Sequence, residues 1–145
     1  MKGKVVIITG GSSGMGLAMA KKFISEGAKV VITGRNHERL ESAKAEIAAK
    51  EGELLTIQMD VRLVEDVNEM VEETVRTFGT VDFLINNAAG NFICPSEDLS
   101  PNGWKAVIDI VLNGTFYCSS AVGRYWIDHQ IKGSITNMIA TYAWD

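Results

Sequence analysis

Eight residues, TGGSSGMG at Thr9 to Gly16, lie between an apolar run and a helical pattern, and their glycine spacing suits a ligand that carries phosphate. Gly10 permits a sharp turn off a strand, Gly14 lets the backbone approach a pyrophosphate, and Gly16 allows close packing of helix on strand. The N–H groups that open the helix, with Ser12, Ser13 and Met15 set among the glycines, then form an anion-binding end aided by the helix dipole. Ordinary turns also collect glycine, so the reading depends on the strand before and the helix after.

Charge indicates which dinucleotide such a site would take. The stretch TGRN, Thr33 to Asn36, closes the second apolar run with no carboxylate until Glu38. An NAD site usually places an acidic residue about 20 positions beyond the glycines, where it binds the ribose hydroxyls and repels a 2′-phosphate. Arg35 offers instead a planar, permanently charged fork suited to phosphate. NADPH is the expected cofactor; the alternative is an arginine that is merely solvated.

These groups need a frame that brings several chain segments to one edge. Short β-branched runs alternate with longer helical patterns, the signature of βαβ units. Strands are expected at 5–9, 29–33, 54–59, 83–86 and 134–138, and helices at 15–25, 37–50, 64–78 and from Pro101 to about Ile127. Gly27, Gly52 and Gly79 stand where the first three helices should end, and Ser100-Pro101 reads as an N-cap followed by proline at the first helical position. No linker or repeat divides residues 1–145. The expected fold class is α/β, a single Rossmann-type, doubly wound parallel sheet with strand order 3-2-1-4-5.

Composition narrows the partners. The chain is 46% hydrophobic with a net charge of −4, and its charges are interspersed, so there is no basic patch for nucleic acid. Apolar runs such as 5–9 are too short to cross a bilayer and no signal peptide is evident, which makes a cytoplasmic protein with no membrane partner the expectation. Cys94 and Cys118 are neither a CxxC pair nor near clustered histidines, which speaks against a disulfide framework or a metal site. Trp104, Trp126 and Trp144 are read as packing residues, and His37 and His129 as solvated helix residues.

The glycines follow GxxxGxG with a threonine ahead. Asp60-Val61 follows the third strand, NNAAG at Asn86 to Gly90 follows the fourth, and Asn113 lies in the fourth long helix. Together these motifs resemble the short-chain dehydrogenase/reductase family over nearly the whole chain. The resemblance implies that Asp60, with Val61, contacts the adenine edge. It further implies that Asn86 and its neighbours Asn87, Ala88 and Ala89 stabilise the sheet and line the nicotinamide side, and that Asn113 positions a water in a proton relay. On its residue type alone, Asn113 could equally be a helix-surface amide.

Most of that family pairs a tyrosine with a lysine as YxxxK and adds a serine, the tyrosine acting as the proton donor or acceptor. Four residues beyond Tyr117 stands Ala121, four beyond Tyr125 stands His129, and NMIAT puts Ile139 and Ala140 where NxSS would place serines. The stretch from Asn86 to Ser120, with ITNMIATYAWD at 135–145, resembles instead the 2,4-dienoyl-CoA reductase branch. By that resemblance the catalytic tyrosine is Tyr142, its lysine falls beyond Asp145, and Asn91, beside Phe92, meets the substrate. An acyl-CoA substrate and NADPH-dependent reduction of a conjugated thioester are implied, as is a homotetramer paired through the helix from Pro101.

That substrate would account for the missing serine. Hydride delivered to the far end of a conjugated dienoyl thioester sends negative charge to the thioester oxygen, several bonds away. A phenol and an amide aimed at that oxygen act as an oxyanion hole, in which a well-placed donor contributes about 3 to 4 kcal/mol. Tyr142 and Asn91 are the expected donors. As residues they could also be a half-buried aromatic at a strand end and a turn-stabilising loop amide. Two other functions stay open: a general short-chain carbonyl or alcohol oxidoreductase, and a non-catalytic dinucleotide-binding or scaffold protein. The resemblance further implies two more strands and a substrate lid that are absent from these 145 residues, and a fifth strand with an exposed edge is the expected consequence.

Overall fold

The structure, a computed structural model, describes residues 1–139. Five parallel strands form one sheet: β1 (Val5–Ile8), β2 (Lys29–Gly34), β3 (Leu54–Gln58), β4 (Phe83–Asn86) and β5 (Ser134–Asn137), in the order β3-β2-β1-β4-β5. The helices that connect them are α1 (Gly14–Ser25), α2 (His37–Ile47), α3 (Val64–Phe78), α4 (Pro101–Ile108) and α5 (Gly114–Asp128). This is the expected doubly wound arrangement. The order reverses at β1 and β4, and ligands of such sheets bind in the crevice beyond the strand ends at that point.

Strand alternation builds a core on each face of the sheet. Ile7, Val31 and Leu84 point to the side covered by α3 and α5, where Val67, Met70, Cys118, Val122 and Trp126 complete the packing. Val6, Ile8, Val30 and Ile32 point to the side covered by α1 and α2, against Ala20, Leu40 and Ala43. Asp82 fixes the bottom of the sheet, its carboxylate accepting from Lys4 Nζ at 2.8 Å and from the Val5 N–H at 2.9 Å. Trp126 is a packing residue as expected, buried and donating through Nε1 to the Val81 carbonyl at 2.7 Å, whereas Trp104 is 60% exposed.

Apart from the start of α1, which falls at Gly14 rather than Met15, two helices differ from the sequence reading. α2 stops at Ile47 rather than Lys50, because Ala48 takes the left-handed conformation and its N–H closes on the Lys44 carbonyl. Gly52 therefore serves the turn into β3, with φ +79°, and not the helix end. The helix from Pro101 is broken by one π-helical turn at Asp109–Asn113, where the Gly114 N–H reaches back to the Asp109 carbonyl. Such turns are frequent at functional sites and leave no simple sequence signature.

The stretch Pro101–Asp128, 28 residues that include an 18-residue window of mean hydropathy 1.3, is also long and apolar enough, by length and composition alone, to cross a membrane, unlike the short runs considered above. Here one face of that stretch carries Cys118, Val122 and Trp126 into the core, while Leu112, Phe116 and Ile127 are exposed on its outer side. β5 is exposed along all four residues.

Candidate functional site

The crevice at the strand ends is a cleft of about 530 Å³. Its walls come from the loop after β1 (Gly10, Ser12, Ser13), the end of β2 and start of α2 (Thr33 to Asn36, and Arg39), the end of β3 (Met59 to Val61), the segment after β4 (Asn87 to Ala89) and Ile110 of the π-turn.

Backbone conformation explains the glycine spacing. Gly10 turns off β1 with φ +64°, and a Cβ there would stand 2.9 Å from the Ala88 Cα. Gly14 has φ +53° with open space around it, so its requirement is conformational. A Cβ on Gly16 would lie 2.4 Å from the Gly10 carbonyl oxygen and 2.6 Å from Asn87 Nδ2. Helix α1 thus rests directly on the loop. Ser13, the N-cap of α1, makes no side-chain cap. The first turn therefore presents N–H groups not capped by that hydroxyl, as an anion-binding helix end requires.

The segment after β4 is bound to this loop by a compact knot. Thr9 Oγ1 accepts the N–H groups of Asn87 and Ala88, both at 3.0 Å, and donates to the Ile85 carbonyl at 3.4 Å. Asn87 Nδ2 donates two more bonds in the same direction, to the carbonyls of Thr9 at 3.0 Å and Gly10 at 3.1 Å. Asn86 ties the sheet to its flank, donating to Ser119 Oγ at 3.0 Å and Asn137 Oδ1 at 2.8 Å.

Asp60 lies in the cleft wall with its carboxylate already engaged. It accepts from the Arg62 N–H at 3.0 Å and from Arg62 Nε at 2.9 Å. Hydrogen bonding to Arg62 holds the Asp60 carboxyl below the ordinary carboxylate range and raises the guanidinium in turn. The Asp60 N–H donates to Asp66 Oδ2 at 2.9 Å, which fixes the turn from β3 into α3. Asp60 is consequently an ionised acceptor held in place at neutral pH.

The sequence-predicted residues separate into two groups. Gly10, Ser12, Ser13, Arg35, Asp60, Val61, Asn87, Ala88 and Ala89 line the cleft together, while Gly14, Met15, Gly16, Asn91, Phe92 and Asn113 do not. Phe92 is half-exposed, and its ring lies where a Cβ on Gly103 would be, 2.8 Å from Cζ, so the 91–92 segment packs on the start of α4. Asn113 donates from Nδ2 to Asp109 Oδ1 at 2.9 Å within the π-turn, and Lys105 also donates to Asp109. Tyr142 and Trp144 lie outside the described residues. Arg39, Asn36 and Ile110 line the cleft without having been singled out. Arg39 follows Arg35 by four residues, a helical spacing that could have drawn attention to it.

Residues 4–143 match the family model described as short chain dehydrogenase. The chain belongs to the short chain dehydrogenase family. Among solved structures, a short chain dehydrogenase from Bacillus anthracis is 66% identical with a TM-score of 0.96, over 99% of this chain and 59% of that one. A Bacillus subtilis protein named probable 2,4-dienoyl-CoA reductase, (2E)-enoyl-CoA-producing, is 62% identical over 99% of this chain and 57% of its own length. A Danio rerio peroxisomal 2,4-dienoyl-CoA reductase, (3E)-enoyl-CoA-producing, is 44% identical over 95% of this chain and 46% of its own length. The chain thus spans about half the length of these curated relatives.

Membership in the short chain dehydrogenase family implies a nicotinamide dinucleotide cofactor. The residues fit that group. Gly14 leaves open space beside the backbone, Gly10 and Gly16 keep the loop low, and the uncapped start of α1 faces no side-chain competitor from Ser13.

Proposed function

We propose that the protein containing this chain uses NADPH to reduce a 2,4-dienoyl-CoA-type conjugated thioester in fatty-acid metabolism. The observation that carries the substrate class is the 62% identity, over nearly the whole chain, to a protein named for that reaction. Arg35 in the cleft wall, with no carboxylate at the end of β2, supports NADPH over NADH.

When bound, the nicotinamide supplies the hydride. The glycine loop and the start of α1 hold the pyrophosphate, and Arg35 receives the adenosine end. Asp60 accepts from the adenine edge with an oxygen still able to take a further hydrogen bond. Ala88, Ala89 and Ile110 give the cleft an apolar wall. Asn91 and Tyr142 donate hydrogen bonds to the thioester oxygen as negative charge builds there, and carbon protonation follows from water. The exposed outer side of the helical stretch from Pro101, which carries Leu112 and Phe116, is the surface through which subunits pair into a tetramer.

The test is to incubate the full-length gene product with a 2,4-dienoyl-CoA and NADPH or NADH, following absorbance of the reduced nicotinamide. Oxidation of NADPH in preference to NADH is expected, and product analysis then separates the 2E from the 3E enoyl isomer. No NADPH oxidation would remove the proposal, and activity unaffected by Tyr142→Phe would remove that residue as donor.

A further inference from the structure

Among the described residues that line the cleft, Asp60 is the one carboxylate, and the side chain that grips it stands behind the wall. Arg62, two positions on, is not a lining residue. Its guanidinium spans the carboxylate: Nε donates to Oδ1 and to Oδ2, both at 2.9 Å, while Nη2 donates to Oδ2 and the Arg62 N–H to Oδ1. Both oxygens are thereby held by one side chain, a geometry that a planar guanidinium permits and a compact ammonium does not.

The backbone beneath Asp60 is fixed independently of this grip. Its N–H donates to Asp66 Oδ2 at 2.9 Å, and its carbonyl accepts the Leu63 N–H at 3.0 Å, closing the turn from β3 into α3. Val61 is buried, with Gly114 so near that a Cβ there would stand 2.7 Å from Val61 Cγ2. What the backbone leaves free is rotation of the Asp60 carboxylate about its side-chain bonds, and the Arg62 bonds remove that freedom. Arg62 is not drawn elsewhere. The other carboxylate whose charge acts on it, Asp109 of the π-turn, is taken by Lys105 and by Asn113 Nδ2.

We infer that Arg62 is a positioning residue for base recognition: it holds the Asp60 carboxylate in one orientation, so that the subsite takes a purine carrying the adenine amino group and rejects one with a carbonyl in its place. The inference rests on the reading of Asp60 as the contact to the adenine edge. It adds the residue that makes this contact selective, on a side chain that does not itself touch the cofactor. An ionised carboxylate accepts hydrogen bonds and donates none, so the adenine amino group is matched, while the carbonyl oxygen of hypoxanthine would meet another acceptor. A carboxylate free to rotate would turn away from that oxygen and give up part of the distinction.

The experiment takes the full-length gene product as wild type, Arg62→Gln, Arg62→Lys and Asp60→Asn. Each is titrated calorimetrically with NADPH, NADH and the analogue of each in which hypoxanthine replaces adenine. Base preference is read within each pair, so it does not depend on which nicotinamide cofactor binds more tightly. The Arg62 side chain is 37% exposed, so its replacement leaves no buried hole. Wild type should favour adenine about tenfold, as one charge-assisted hydrogen bond at a partly exposed site would. Asp60→Asn should bring the preference below about twofold, because an amide presents a donor as well as an acceptor. Arg62→Gln should lower it to about threefold, chiefly by weakening the adenine ligand, with Arg62→Lys between that variant and wild type. A general loss of stability would not change the preference between bases. If Arg62→Gln keeps the full preference, or weakens both bases equally, Arg62 does not position the carboxylate although the Asp60 reading survives. If wild type binds both bases alike, or Asp60→Asn keeps the preference, the Asp60 reading falls and the inference with it.

Discussion

Thr9 and Asn87, 78 residues apart in sequence, are joined by two hydrogen bonds, both donated by Asn87. The Asn87 N–H donates to Thr9 Oγ1 at 3.0 Å, and Asn87 Nδ2 donates to the Thr9 carbonyl at 3.0 Å. This pair ties the glycine loop to the segment after β4, two of the walls of the cleft. The hydroxyl is also the acceptor for the Ala88 N–H.

Replacing that hydroxyl should therefore hurt more than replacing the methyl beside it. Thr9→Val keeps the shape but strands two N–H groups, at a cost of about 2 to 4 kcal/mol in total. Thr9→Ser keeps the acceptor and loses one buried methyl, about 1 kcal/mol. Urea denaturation should rank wild type above Thr9→Ser above Thr9→Val, and NADPH binding should weaken in the same order. The reverse order would mean that packing, not the acceptor, holds the loop.

Asp60 gives a prediction with a definite sign in pH. Its carboxyl is held below the ordinary range by the hydrogen bond from Arg62, so the folded state binds a proton there less readily than the unfolded chain. The stability this contributes is present above the unfolded carboxylate pKa of about 3.9 and is lost as pH falls through the lower folded value. Wild type should exceed Asp60→Asn in stability at pH 7, and the gap should narrow below about pH 4. A gap of constant size from pH 7 to pH 3 would show that the charge of Asp60 is not what matters.

The architecture was legible because each strand is a short β-branched run and each helix a periodic one. β4 and α3 match their expected bounds at both ends, and the remaining strands differ by a residue. The glycine loop was legible too, since left-handed φ values and close backbone approach leave few residues other than glycine. The helix from Pro101 was less so. A π-turn changes hydrogen-bonding by one residue without a proline or a composition shift, and it moves Ile110 rather than Asn113 into the cleft wall. Arg39 escaped notice for a different reason. Exposed arginine on a helix is ordinary, and only the fold shows that this one shares a wall with Arg35.

The two thiols should differ sharply in reactivity. Burial pushes the Cys118 thiol up to about 12, whereas Cys94 is partly exposed in the loop before α4. The thiolate is the reactive form, so native protein at pH 8 should titrate one fast thiol, removed by Cys94→Ser, with Cys118 reacting only after denaturation. A raised folded pKa also means stability that is complete below the unfolded thiol value of about 8.5 and is lost as pH rises toward the folded one. Cys118→Ala should lack that alkaline loss. Two thiols labelled at equal rates in native protein would refute the burial of Cys118.

Gly114 and Gly123 lie in the same helix, and their environments predict opposite effects of the same substitution. A Cβ on Gly114 would stand 2.7 Å from Val61 Cγ2 and 3.4 Å from the Val61 carbonyl oxygen, whereas nothing lies within 4 Å of one on Gly123. Alanine gains about 1 kcal/mol over glycine in a helix interior at either position. At Gly123 that gain is unopposed, so Gly123→Ala should raise Tm by a few degrees. At Gly114 overpacking of about 1 to 3 kcal/mol opposes it, and relief requires α5 to move away from Val61, a cleft residue. Gly114→Ala should therefore lower Tm or leave it unchanged while weakening nucleotide binding, and Gly123→Ala should leave binding intact. If both variants gained stability equally with unchanged affinity, contact between α5 and Val61 would not be shaping the cleft.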